Sequence, residues 1–224
     1  MKKTHAASAI AGSYRVSWQG TLRAVHGGDL SGKVPLQQFS ERENIYAVGP
    51  VAELDGEITA IDGKFHIARV RHGEIKTDSD LSTTASFLVW SEVSAWKQPV
   101  ALSEKVGNHA QLEKRIESLA AKEGVDTTKP FPFIIEGMVE SVDYHVLVPK
   151  KPHQADSDHR DRAKKFSSKG VAAKVIGFFS KNHEGVFTHK GSAAHLHILE
   201  SNGCSGHVDE IALHAEARVS FPDG

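Results

Sequence analysis

Short runs of β-branched and aromatic residues, broken by glycine and Asp-Gly or Asn-Gly turn signals, recur along this chain, and one segment shows helical spacing. Tyr14 to Val25 (YRVSWQGTLRAV) reads as a strand, and HGGDLSGKVPLQQF then turns into a short helix around Leu36 to Phe39. Ile45 to Val51 is a second strand. Asp55-Gly56 and Asp62-Gly63 stand seven residues apart with EITAI between them and KFHIARV after, so a meander of tight antiparallel strands is expected. Phe87 to Val93 (FLVWSEV) is a mostly apolar run, the pattern of a strand covered on both faces.

Helical periodicity is confined to Asn108 to Lys122, where Ala110, Leu112, Ile116, Leu119 and Ala120 fall on one stripe, with Asn108 as cap and Gly124 as stop. Lys129-Pro130-Phe131-Pro132 resets the chain to extended geometry, and Phe133 to Val148 reads as two strands. KKPHQADSDHRDRAKKFSSKG has dense charge of both signs and reads as a solvated loop or lid. Val171 to Ser180 resumes the sheet. Strand after strand on short turns, with one main helix, predicts a mainly β or α+β fold of antiparallel sheets: a flexible N-terminus over 1–12 and a single domain over 13–224.

The chemistry concentrates in HLHILESNGCSGH, residues 195–207, which holds three of the fourteen histidines. Residues two apart on a strand share a face, so His195 and His197 present their rings side by side. Ser201-Asn202-Gly203 is a turn, and Gly206 to Leu213 returns. A turn centred on Asn202 places His207 opposite His197, and the three imidazoles converge; a two-residue Asn202-Gly203 loop turns His207 to the other face. Three neutral imidazoles leave a fourth position for water or substrate, the arrangement of a catalytic zinc site, although imidazole also suits Cu, Fe and Ni. A histidine-rich solvated hairpin is the bland alternative. Cys204, in the turn, admits a ligand reading as well as that of a small turn residue.

Charge is balanced, 27 basic against 28 acidic residues, which argues against nucleic acid or an anionic membrane as partner and favours a small molecule. The lone Cys204 cannot form an internal disulfide, which fits a reducing compartment. The stretch MKKTHAASAIAGSY is too weakly apolar for a secretory segment or a membrane span, so a soluble cytoplasmic protein is expected. The sequence leaves a homodimer open. No GxGxxG, P-loop or nucleophile elbow is present.

Taken in order, GGDLSGKVPLQQFSERENIYAVG with ELDGEITAIDGKF, SDLSTTASFLVW, PFIIEG, and VIGFFS with HLHI and GHV resemble the α-acetolactate decarboxylase family from roughly Leu22 to Val219. The resemblance implies antiparallel sheets with few helices, zinc held by His195, His197 and His207, and Glu57 in the active site. It also implies conversion of 2-hydroxy-2-methyl-3-oxobutanoate to acetoin, with the metal stabilising charge after loss of CO₂ and a positioned acid reprotonating carbon. Without the resemblance, Glu57 is a residue beside an Asp-Gly turn.

The chain also departs from the family's pattern. The family's substrate-binding arginine falls at or beside Ile134, its active-site threonine at Pro50, and its C-terminal glutamate has no counterpart before Gly224. The loop between the second and third histidines is one residue shorter. An apolar side chain cannot replace a bidentate guanidinium, so Ile134 is expected to make a cavity wall apolar where the family's is cationic. His183, Glu184 and His189 precede the hairpin as auxiliary acid or base groups, and Arg69 and Arg71 are candidates for the missing cation; exposed surface charges are the alternative for all five. Two further readings stay open: a zinc hydrolase with Glu57 as base, and a non-catalytic metal-binding or sensor protein.

Overall fold

The computed structural model describes residues 14–150 and 162–224. The expected flexible segment 1–12 and the middle of the charged loop lie outside the described residues. In chain order the elements are β1 (Arg15–Gln19), α1 (Leu22–His26), β2 (Val34–Pro35), β3 (Ile45–Pro50), β4 (Glu57–Ile61), β5 (Lys64–Arg71), β6 (Glu74–Asp78), β7 (Thr84–Ala85), β8 (Leu88–Glu92) and β9 (Val100–Ala101). They continue as α2 (His109–Lys122), β10 (Phe131–Leu147), β11 (Ala163–Phe179), β12 (Ala194–Glu200), β13 (Ser205–Leu213) and β14 (Arg218–Ser220).

One six-stranded antiparallel sheet runs β1-β8-β3-β4-β5-β6, and a second runs β11-β12-β13-β10-β14-β9. In the second sheet β10 also pairs with β11, so β10, β11, β12 and β13 close a ring. The sheets share an apolar layer in which Val48, Phe87 and Val89 meet Ile134, Ile176 and Phe178. A second cluster, with Phe39, Ile58, Phe65 and Ile67, lies on the far face of the first sheet. β4 is therefore buried throughout: Ile58 and Ala60 pack into the far cluster, while Glu57 and Thr59 alternate onto the face toward the second sheet.

The main helix forms as its spacing predicts. Asn108 is extended and its side chain accepts from the Gln111 N–H, while Leu112, Ile116, Leu119 and Ala120 bury their stripe beside Phe131 and Phe179. The strand expected over Tyr14 to Val25 stops at Gln19. Thr21 caps α1 by accepting from the Ala24 N–H, and Leu22 and Val25, three apart, go into the core together.

Asp62-Gly63 makes the expected two-residue turn with both φ positive, at 53° and 71°. Asp55-Gly56 does not. The β3–β4 connection is instead a 3-10 turn over Ala52–Leu54 with Glu53 and Leu54 in the left-handed region, and Gly56 only closes it. The two strands expected over Phe133 to Val148 are one 17-residue strand, β10, and the second half of the charged loop belongs to its 17-residue partner, β11. Long-range pairing outweighs local polarity there: β11 holds register with β10 from Leu147↔Ala163 to Phe131↔Phe179, and Phe166 stacks on Tyr144. Among the described residues no helix is long and apolar enough to cross a membrane.

Candidate metal and active site

The histidine hairpin has the odd-length turn that convergence requires. His197 pairs directly with His207, which centres the turn on Asn202. Gly203 takes a left-handed φ of 89°, its N–H donates to Glu200 O at 2.9 Å, and Asn202 Oδ1 accepts from the Cys204 N–H at 2.8 Å. His195, His197 and His207 consequently lie on one face, all buried. Cys204, part-exposed in the turn, makes no contact with their rings.

The hydrogen bonds fix the tautomers. His195 Nδ1–H donates to Phe187 O at 2.8 Å, which leaves the lone pair on Nε2. That Nε2 stands 3.1 Å from His207 Nδ1. For His197 the argument runs along a chain: Ser205 Oγ–H donates to Ile198 O at 2.7 Å, so Thr59 Oγ–H donates to Ser205 Oγ at 2.8 Å. Thr59 Oγ1 must then accept from His197 Nδ1–H at 3.0 Å. His197 Nε2 is left with its lone pair, buried and without a hydrogen-bond partner, 3.7 Å from Glu57 Oε2.

Burial, the largest cause, pushes all these imidazoles toward the neutral form: His195 to about 3, and His197 and His207 well below the usual histidine value. His189 falls to about 4, again chiefly through burial. The opposite holds for Glu57, 2 % exposed, whose carboxyl is held well above the usual range by loss of solvent against a weaker opposing hydrogen bond from the Leu147 backbone. Burial thus favours its protonated form. Buried neutral imidazoles, with the His207 Nδ1–H donating to His195 Nε2 and the His197 Nε2 lone pair orphaned, match the donor set of a divalent transition metal. The nitrogens of His189, His195 and His207 lie within 4.8 Å of one another; His197 is not in this closest set, its ring centre 5.2 Å from that of His195 and 5.4 Å from that of His207.

Glu57, His189, His195 and His207, but not His197, open onto a cavity of about 540 Å³, lined also by Pro50, His26, His109 and His145, with Leu22, Val25, Leu54 and Leu147 as apolar wall. His26, His109 and His145 are the histidines missed from sequence. His145 arrives because β10 pairs it with His207, and Asp209 Oδ1 holds its Nδ1 at 2.8 Å. His109 and Glu113, one turn apart on α2, form a 3.3 Å pair, and Glu113 Oε1 also accepts the Ala193 and Ala194 N–H groups that start β12. Their i, i+4 spacing was the visible signal; nothing local marks His145.

Other sequence candidates lie elsewhere. His183 pairs with Ser180 Oγ at 2.7 Å and stacks on Phe187, and Glu184 accepts from the Gly191 N–H; both stabilise the loop before β12 and neither lines the cavity. Arg69 is engaged by Asp55, Asp78 and Thr83, and Arg71 by Asp55, so these cations are neutralised outside the cavity rather than replacing an arginine within it. Ile134 also departs from expectation. It packs between the sheets with Ile176 and Phe178 and is not among the lining residues.

Fold and site define an antiparallel, mainly β protein with a buried histidine cluster able to hold a metal ion. The chain belongs to the alpha-acetolactate decarboxylase family, whose model matches residues 16–223. The acetolactate decarboxylase of Bacillus subtilis subspecies spizizenii superposes with a TM-score of 0.75 at 17% identity, over 93% of this chain and 86% of that one. The alpha-acetolactate decarboxylase of Bacillus subtilis strain 168 gives 0.74 at 18% identity, over 93% and 85%. A Staphylococcus aureus protein described as of unknown function and similar to alpha-acetolactate decarboxylase gives 0.70 at 17% identity, over 92% and 84%. Identities this low establish the common fold. No curated protein sequence matches the chain.

Proposed function

We propose that this protein is a zinc-dependent carboxy-lyase acting on a small 2-hydroxy-3-oxo acid, with conversion of acetolactate to acetoin as its reaction. The observation that carries this reading is the orphaned lone pair of buried His197, 3.7 Å from the carboxyl of buried Glu57. His195, His197 and His207 would hold the ion, which when bound supplies Lewis acidity toward charge developing on substrate oxygens.

The chain's own residues supply the rest. Glu57, at the first position of β4, has its protonated form favoured because the folded protein has stripped it of solvent, and it faces the histidine cluster. A carboxylic acid so placed delivers a proton to the carbon that CO₂ leaves, and buried walls keep water from competing. The hydrolase reading needs Glu57 ionised as a base, the form that burial disfavours. The non-catalytic reading draws on one observation: Lys165 is the sole lysine or arginine lining the cavity among the described residues. The lone cysteine agrees with a cytoplasmic setting.

The test is the metal content of untagged protein measured beside acetoin formation from racemic acetolactate. Bound metal with turnover is expected, and Glu57→Gln should lower turnover by about 10²–10⁴-fold with metal content unchanged. Metal without acetoin formation overturns the lyase reading.

A further inference from the structure

His189 lies six residues before His195, in the loop between β11 and β12, and belongs to none of the strands that carry the other three rings. We propose that His189 is a protein ligand of the metal, so that the resting ion is held by four imidazoles, those of His189, His195, His197 and His207. This rests on the metal reading above and adds a ligand to it.

The geometry carries the assignment in three ways. The nitrogens of His189, His195 and His207 already lie within 4.8 Å of one another. Four-coordinate zinc with bonds of about 2.0–2.1 Å sets its ligand nitrogens roughly 3.3 Å apart, so bringing these three together takes ring movements on the order of 1 Å, and the His197 ring, 5.2 Å from that of His195 and 5.4 Å from that of His207 between centres, must close in as well. Secondly, the His189 ring packs edge-on against both partners, 4.8 Å from His207 and 5.7 Å from His195 between ring centres, yet neither of its nitrogens has a hydrogen-bond partner among the described residues. His195 has Nδ1 tied to Phe187 O and Nε2 paired with His207 Nδ1, and His197 has Nδ1 tied to Thr59 and Nε2 without a partner.

Thirdly, the loop is fixed where a ligand-bearing loop must be. Gly185 N–H donates to Thr188 O at 2.8 Å, Ser192 N–H to His189 O at 3.1 Å, and the residue that receives the His195 Nδ1 proton, Phe187, is two before His189. Ring orientation at His195 and placement of His189 are thus set by one stretch of backbone. Being carried by a loop, His189 is also the ligand best able to give way when substrate enters.

Cobalt(II) serves as probe with the full, untagged chain. X-ray absorption at the cobalt edge of the unaltered protein should count four imidazoles. His189→Ala should weaken cobalt binding at least about tenfold, the lower end of the loss seen for outer-sphere partners. It should also open a position that azide takes up in the variant and not in the parent. Added imidazole should restore the parent spectrum to His189→Gly, which a folding defect would not allow. Three imidazoles in the parent, with cobalt lost in His195→Ala but kept at parental affinity in His189→Ala, overturn the His189 assignment alone. Absence of cobalt binding in the parent, or parental binding by His195→Ala, overturns the metal reading itself.

Discussion

His197 shows how one side chain acquires a role from its surroundings. The Ser205–Thr59 chain commits its Nδ1 proton inward and leaves Nε2 as a free base. Thr59→Val removes the acceptor for that proton, and loss of such an orienting partner typically costs 10–100-fold in metal affinity, roughly 1.4–2.7 kcal/mol. Thr59→Ser, which keeps the hydroxyl, should bind metal within a few-fold of the parent in a chelator competition; equal affinity for the valine variant would remove Thr59 from the site. Titration of the metal-free protein follows from the same burial. His189, His195, His197 and His207 have lowered folded values, so below the ordinary value of 6.5 the unfolded chain binds protons that the fold refuses. Stability is then lost as pH falls from 6.5 toward about 4, at up to about 1.4 kcal/mol per pH unit for each group. Glu57, raised in the fold from 4.5, acts with the opposite sign and loses stability as pH rises. Four groups outweigh one. Urea midpoints of chelated protein should drop from pH 7 to pH 5, more steeply in Glu57→Gln, and a flat profile would contradict the burial of these rings.

At the scale of elements, the β12–β13 hairpin decides whether three histidines are a site or a coincidence. Side chains alternate along a strand, so a one-residue change of register turns His207 from the face of His197 to the opposite one. Inserting one glycine after Asn202 gives the loop an even length. The variant should keep its β-type circular dichroism and lose most of its metal, read by atomic absorption after dialysis. Full metal retention would mean that the inserted residue bulges out and the pairing is held elsewhere, by β10 against β13. The long pair β10 and β11 makes a related point. Their far ends carry charged, weakly apolar sequence, yet they remain strands because each backbone finds a partner and because Tyr144 and His145 sit between β13 and β11.

For the whole molecule, the position of Ile134 separates fold from substrate. Where the resemblance expects a wall of the cavity, the sheets enclose Ile134 between Ile176 and Phe178, 9 % exposed. A guanidinium there is a buried charge without a partner, which costs several kcal/mol. Ile134→Arg should lower the melting temperature by several degrees and bring no gain in acetolactate turnover. A gain in kcat/KM would show that this position reaches the substrate. Among the described residues the lysine or arginine that lines the cavity is Lys165, beside the histidines.

Local sequence was sufficient for most elements: the 3.6-residue stripe and Asn108 cap of α2, the Asp62-Gly63 turn, and the pairing of His195 with His197 on one face depend on contacts within a few residues. It also narrowed the hairpin to two registers, whereas Glu57 came from the family resemblance and not from any local pattern. Choosing between registers, and assembling the cavity, required the tertiary structure. His145 reaches His207 only through β10–β13 pairing, Thr59 reaches His197 only because two sheets stack, and Ile134 leaves the cavity for the same reason. The upward shift of the Glu57 carboxyl and the downward shift of the imidazoles arise from removal of water by parts of the chain distant in sequence, so no local pattern encodes them.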